Sequence, residues 1–150
     1  MGYRNVYWYR DGLAGWKKAG LPTGRNVQFS HKAPPPMAPQ KVWAKIQSGE
    51  RILLIDIRDD LSRKKFGVID GPTLHYPLYR LHALHFELPK NRLLVFYDIR
   101  GKQAPNACRY LLSYFFDPNN ITWLEGGVEA WKNQGLQVKQ PDSGPRKPLD

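Results

Sequence analysis

The chain has 150 residues, 41% of them hydrophobic, enough for one sizeable core but not for two. Its formal net charge of +10 is spread, +5 over residues 1–32, +5 over 33–140 and zero over 141–150, so no basic arm marks a nucleic-acid binder. One cysteine excludes an internal disulfide or a cysteine-based zinc site, and no apolar run is long enough to span a membrane.

Residues 5–22, NVYWYRDGLAGWKKAGLP, nearly repeat residues 120–137, NITWLEGGVEAWKNQGLQ. Aligned without a gap, they share Asn5/Asn120, Trp8/Trp123, Gly12/Gly127, Trp16/Trp131, Lys17/Lys132, Gly20/Gly135 and Leu21/Leu136, always 115 positions apart. Each copy reads as a short strand, a glycine turn and a short helix carrying a tryptophan. Such a unit cannot bury its apolar face alone and needs a sheet to sit on. The second copy follows enough chain to supply one, whereas the first is preceded only by Met1 to Arg4. Residues 1–23 are therefore expected to be the terminal strand and helix of a preceding domain of the same kind. The tryptophans at the repeat positions are expected to pack against the sheet.

Residues 24–38 are rich in proline, lack an apolar period and read as a linker, semi-rigid at Pro34 to Pro36. A domain is expected over 39–140, followed by a flexible tail at 141–150. Val42, Trp43 and Ile46 stand at helical spacing before Gly49, which predicts a short helix with a glycine stop. The unbroken apolar run Ile52 to Ile55 predicts a strand buried on both faces. Residues 61–80 carry two glycines and two prolines and read as loop with a short strand. Leu81, Leu84 and Leu88 form one stripe of a short helix ended by Pro89. A second buried strand, RLLVFYD, runs into IRGKQ, followed by a helix over APNACRYLLSYF with Ala104, Cys108, Leu111 and Leu112 as its apolar stripe. NITWL is a third strand and EGGVEAWKNQGL the closing helix. Strands alternating with helices predict an α/β fold, a mostly parallel central sheet flanked by helices on both faces.

In such folds chemistry sits just past the carboxyl end of a strand. The segment VFYDIRGKQAPNACRYLL has that form: strand, tight glycine loop, helix. Backbone N–H groups of the loop and the following helix N-terminus make a pocket for negative charge there. The candidate site is thus the loop Asp98, Ile99, Arg100, Gly101, Lys102 and Gln103. No histidine or acidic cluster has the spacing of a metal site, and no metal or cofactor is expected: the one helix-spaced histidine pair, His82 and His85, has no acidic ligand to match.

These residues resemble the rhodanese family of sulfurtransferases. There a strand ends in the active-site cysteine, a loop C-x-x-G-x-R curls around it, and a helix of the form S-x-x-A-A-x-x-L follows. Gly101 stands on the loop glycine, Ala104 on the helix-opening serine, and Ala107, Cys108 and Leu111 on the helix pattern. Asp98 occupies the nucleophile position and Gln103 that of the closing arginine. LLIDIRDD resembles the family's L-L-D-V-R-E, which carries over to Asp56 and Arg58 as supporting residues that brace the strand end and the neighbouring loop. GVIDGP, 67–72, resembles G-H-I-P-G-A, with Val68 in place of the histidine, and NITWLEGGVEAW resembles the strand and helix near the end of a rhodanese domain. The resemblance spans roughly residues 38–137 and implies a rhodanese-like fold, and the family's frequent tandem arrangement accounts for the repeat.

In the family, sulfur moves through a cysteine persulfide. A carboxylate oxygen is a poor nucleophile toward sulfur and forms no stable oxygen analogue of that intermediate. Asp98 can instead accept the inward-pointing N–H groups itself. The resemblance therefore implies a catalytically silent domain, a binding, regulatory or structural module of a tandem protein; the alternative is a part of a thiosulfate sulfurtransferase whose nucleophile lies in another domain. Arg100 and Lys102 place two cations beside Asp98, which neutralise it or hold a small anion or thiosulfate-like ligand. Cys108, ten residues on and inside the helix stripe, reads as buried and inert. The remaining expected partners are a preceding rhodanese domain, another protein, or a second copy through residues 1–23. Nucleic acid and a membrane span are not expected, and the sequence leaves cytoplasm and periplasm equally open.

Overall fold

A computed structural model of the chain describes residues 10–21, 32–114 and 116–142. The elements run α1 (Gly12–Lys18), β1 (Pro36–Met37), α2 (Pro39–Gln47), β2 (Ile52–Asp56), α3 (Asp60–Phe66), β3 (Val68–Ile69), β4 (Thr73–His75), α4 (Leu81–Leu84), β5 (Leu93–Tyr97), α5 (Ala104–Leu112), β6 (Ile121–Leu124), α6 (Gly127–Asn133) and β7 (Val138–Lys139). Five strands form one sheet in the order β1-β6-β5-β2-β4, and every neighbouring pair in it is parallel. β3 and β7 pair antiparallel as a separate small ribbon.

The unbroken apolar runs of β2 and β5 follow from their central position. Alternate β2 side chains serve opposite faces: Leu53 and Ile55 join a core with Leu81 and Leu84 of α4 and Ala107, Cys108 and Leu111 of α5, while Ile52 and Leu54 join one with Val42 of α2 and Val128 and Trp131 of α6. Helices thus cover both faces of the sheet, the architecture implied by strand–helix alternation.

Four local expectations change. Pro36 and Met37, read as linker, form an edge strand on β6, and Pro35 and Pro34 carbonyls accept from the Thr122 hydroxyl and the Trp123 indole N–H at 2.8 and 2.9 Å. Proline suits an edge, where one side of the strand has no ladder to complete. Residues 61–80, read as loop with a short strand, contain α3 and two strands. α3 lacks an apolar period, and its start is fixed by a cap: the Asp59 carboxylate accepts from the Ser62 N–H at 2.9 Å. Leu88 lies beyond α4 yet is buried in the same core. In α5 it is Ala107, not Leu112, that completes the fully buried stripe. Trp131 is fully buried and Trp123 and Trp16 are half-buried; Trp8, like much of 1–31 and the tail from 143, lies outside the described residues.

Candidate functional site

The parallel register sets β2 beside β5, with Asp56 opposite Tyr97 at the carboxyl ends of both strands. The next residue after β5 is Asp98, 4% exposed. From there residues 98–103 curl into a tight loop whose N–H groups point inward. One carboxylate oxygen of Asp98 accepts from the amides of Arg100, at 2.9 Å, and Gly101. The other accepts from the amides of Gln103 and Ala104, the latter at 3.0 Å. Four backbone donors and the N-terminus of α5 therefore converge on one side chain.

Two glycines make this curl sterically feasible. Gly101 has φ +73, and a Cβ there would stand 3.1 Å from the Gly126 nitrogen. Gly127 has φ +60, and a Cβ there would fall 2.6 Å from the carbonyl oxygens of Asp98 and Ile99. Because α6 approaches so closely, its first amides bond the loop: Val128 N–H to the Asp98 carbonyl and Glu129 N–H to that of Ile99, both 3.0 Å. The loop is thus clamped between the starts of α5 and α6.

Ile99 is half-buried, whereas Arg100, Lys102 and Gln103 are exposed. Arg100 Nε donates to Glu129 at 2.9 Å, which raises the guanidinium pKa. Arg100, Lys102 and Gln103 line a cleft of about 670 Å³ together with Asp98, Ile99, Ile57, Arg58, Phe66, Leu78 and Tyr79. Asp56 stands behind the cleft, and Arg58 belongs to its wall rather than to the loop. Arg58 Nε and Nη2 donate to the two Asp56 oxygens at 2.8 and 2.6 Å, and Nη2 also donates to the Gly67 carbonyl at 2.8 Å. The Tyr97 hydroxyl donates to Asp56 at 3.0 Å, and burial holds that phenol far above its ordinary pKa. Sequence reasoning missed Tyr97, Arg63, whose Nε lies 3.4 Å from Asp56, and His75. The register of β2 against β4 and β5 brings His75 and Tyr97 to Asp56, and the packing of α3 after β2 brings Arg63, so no local pattern could have found them.

Cys108 is fully buried on the inner face of α5, its thiol donating to the Thr122 carbonyl at 3.5 Å. Burial drives its pKa well above the ordinary thiol value. Among the described residues no group of three or more His, Cys, Asp or Glu side chains could hold a metal ion, and no helix is long and apolar enough to cross a membrane.

The profile of the rhodanese-like domain family matches residues 38–134. The chain belongs to the rhodanese-like family. Its rhodanese-like part is 30% identical over 93 residues to a sulfurtransferase of Allochromatium vinosum, covering 62% of this chain and 83% of that protein. An uncharacterized protein of Synechocystis is 27% identical over 105 residues, 70% of this chain, and the chain spans only 56% of its length. The fold is shared with a rhodanese-related protein of Thermoplasma volcanium, with a TM-score of 0.62 at 19% identity over 71% of this chain and 98% of that one.

Proposed function

We propose that this rhodanese-like domain is silent in sulfur transfer and works as a binding, regulatory or structural module of a tandem protein, with the Asp98 carboxylate as a permanent anion in the loop. The supporting observation is the convergence of four backbone N–H groups on that carboxylate. Those donors would stabilise the thiolate and persulfide in a family member with cysteine there. With both Asp98 oxygens accepting two donors each, an incoming anion would have to compete with that carboxylate for these four donors. Sulfur cannot bypass Asp98 through Cys108, because a buried thiol with a raised pKa is a poor nucleophile. What remains open is the cleft mouth, where Lys102 and Arg100 are the cations offered to a small anion or to an acidic segment of a partner.

Intact mass measurement after incubation with thiosulfate, before and after cyanide, tests the reading. The native chain should keep its mass, and Asp98→Cys should gain one sulfur that cyanide removes. A cyanide-labile sulfur on the native chain would overturn silence.

A further inference from the structure

The relation between the two repeat copies extends from sequence to backbone. α1 and α6 each have seven residues and begin 115 positions apart, with Gly12 at φ +57 and Gly127 at φ +60. Four hydrogen bonds at the helix ends correspond, although the residue before each opening glycine differs, Asp11 at φ −92 and Gly126 at φ +67. Gly15 N–H to Asp11, Ala19 to Gly15, Gly20 to Lys17 and Leu21 to Trp16, at 3.1, 3.0, 3.0 and 3.3 Å, match Ala130 to Gly126, Gln134 to Ala130, Gly135 to Lys132 and Leu136 to Trp131, at 3.2, 3.2, 2.9 and 3.3 Å. Gly20 and Gly135 close the helices at φ +69 and +73.

Their surroundings are opposite. Val128 and Trp131 of α6 are fully buried, and Gly127 lies against the loop carbonyls. In α1 the position matching Val128 is Leu13, 63% exposed, and Leu21, matching Leu136, is 40% exposed. A Cβ on Gly12 would meet nothing within 4 Å among the described residues. A left-handed glycine is needed at position 127 because another backbone approaches it. At position 12 the same conformation and residue recur with no such neighbour among the described residues. Among the described residues, Gly12 and Leu13 lack the seat that the loop and core give Gly127 and Val128.

We infer that residues 10–21 are a docking element for a second rhodanese-like domain that lacks a helix of its own at this place, and that they occupy on it the seat that α6 occupies here. Gly12 then abuts the carbonyls at the end of that domain's central strand, the amides of Leu13 and Ala14 donate to them, and Leu13 and Trp16 enter its core. A second copy of this chain is not the partner by this route, because its own α6 fills the seat. The inference does not depend on whether Asp98 silences sulfur transfer.

The test is a full-chain variant in which residues 127–136 take the sequence of 12–21: Val128→Leu, Glu129→Ala, Ala130→Gly, Asn133→Lys and Gln134→Ala. Its control carries the same ten residues in scrambled order. The swapped chain should keep one cooperative melting transition and slow exchange of the amides of residues 100–104. Val128→Glu in place of Val128→Leu should abolish both. A swapped chain that melts and exchanges like the scrambled control would overturn the inference, whatever the thiosulfate experiment shows.

Discussion

Arg58 grips Asp56 with two parallel hydrogen bonds at 2.8 and 2.6 Å in a place where both residues are almost fully buried. Burial alone would lower the guanidinium pKa, yet the bonds and charge of Asp56 raise it above its ordinary value. The arginine is thus held charged by its partner. Removing one member of such a pair leaves the other charge buried and unanswered, at about 3–5 kcal/mol. Asp56→Ala should lower the unfolding free energy by that amount, whereas Tyr97→Phe, which removes one hydroxyl bond, should cost about 1 kcal/mol. Urea denaturation of the three proteins measures both, and equal losses would mean that the hydroxyl rather than the ion pair holds the strand ends.

His75 gives the fold a pH dependence of definite sign. Its Nε2 stands 2.7 Å from the Arg58 carbonyl and its Nδ1 3.1 Å from Arg63 Nη1, so Nε2 carries the proton and Nδ1 accepts. Burial, then the Arg63 charge, lower its pKa below the usual imidazole value, against the opposing Arg58 carbonyl bond and the charges of Asp56 and Asp60. The unfolded chain therefore takes up the proton first as pH falls. Stability from this residue is complete above about pH 6.5, declines as pH drops through that value, and levels off below the folded pKa. His75→Gln should flatten this part of the stability profile between about pH 7 and pH 5. An unchanged slope would show that the ring is not held neutral.

Cys108 should resist alkylation in the native chain and react fully in denaturant. Its thiol is fully buried, and burial raises its pKa. Mass spectrometry after iodoacetamide, with and without urea, reads the difference. Rapid labelling of the folded chain would place the thiol at the surface and reopen it as a sulfur acceptor.

The sequence by itself determined the layering of the domain and the place of its loop. Unbroken apolar runs can be buried only from two sides, which makes Ile52–Asp56 and Leu93–Tyr97 central strands, and a glycine loop between strand and helix turns its amides inward around Asp98. Both are consequences of local chemistry. What lay beyond reach was set by contacts between distant segments. α3 has too few apolar residues to show a period and is fixed by the Asp59 cap, and β1 is a strand only because β6 lies beside it. Tyr97 and His75 reach Asp56 only through strand register. The fate of the repeated unit was likewise undecided by its sequence: nearly the same residues, each with a left-handed glycine opening its helix, leave Val128 fully buried and Leu13 exposed. Helix and turn geometry depend on neighbours three or four positions away, whereas burial depends on which surface comes to lie opposite, and only the assembled sheet supplies that surface.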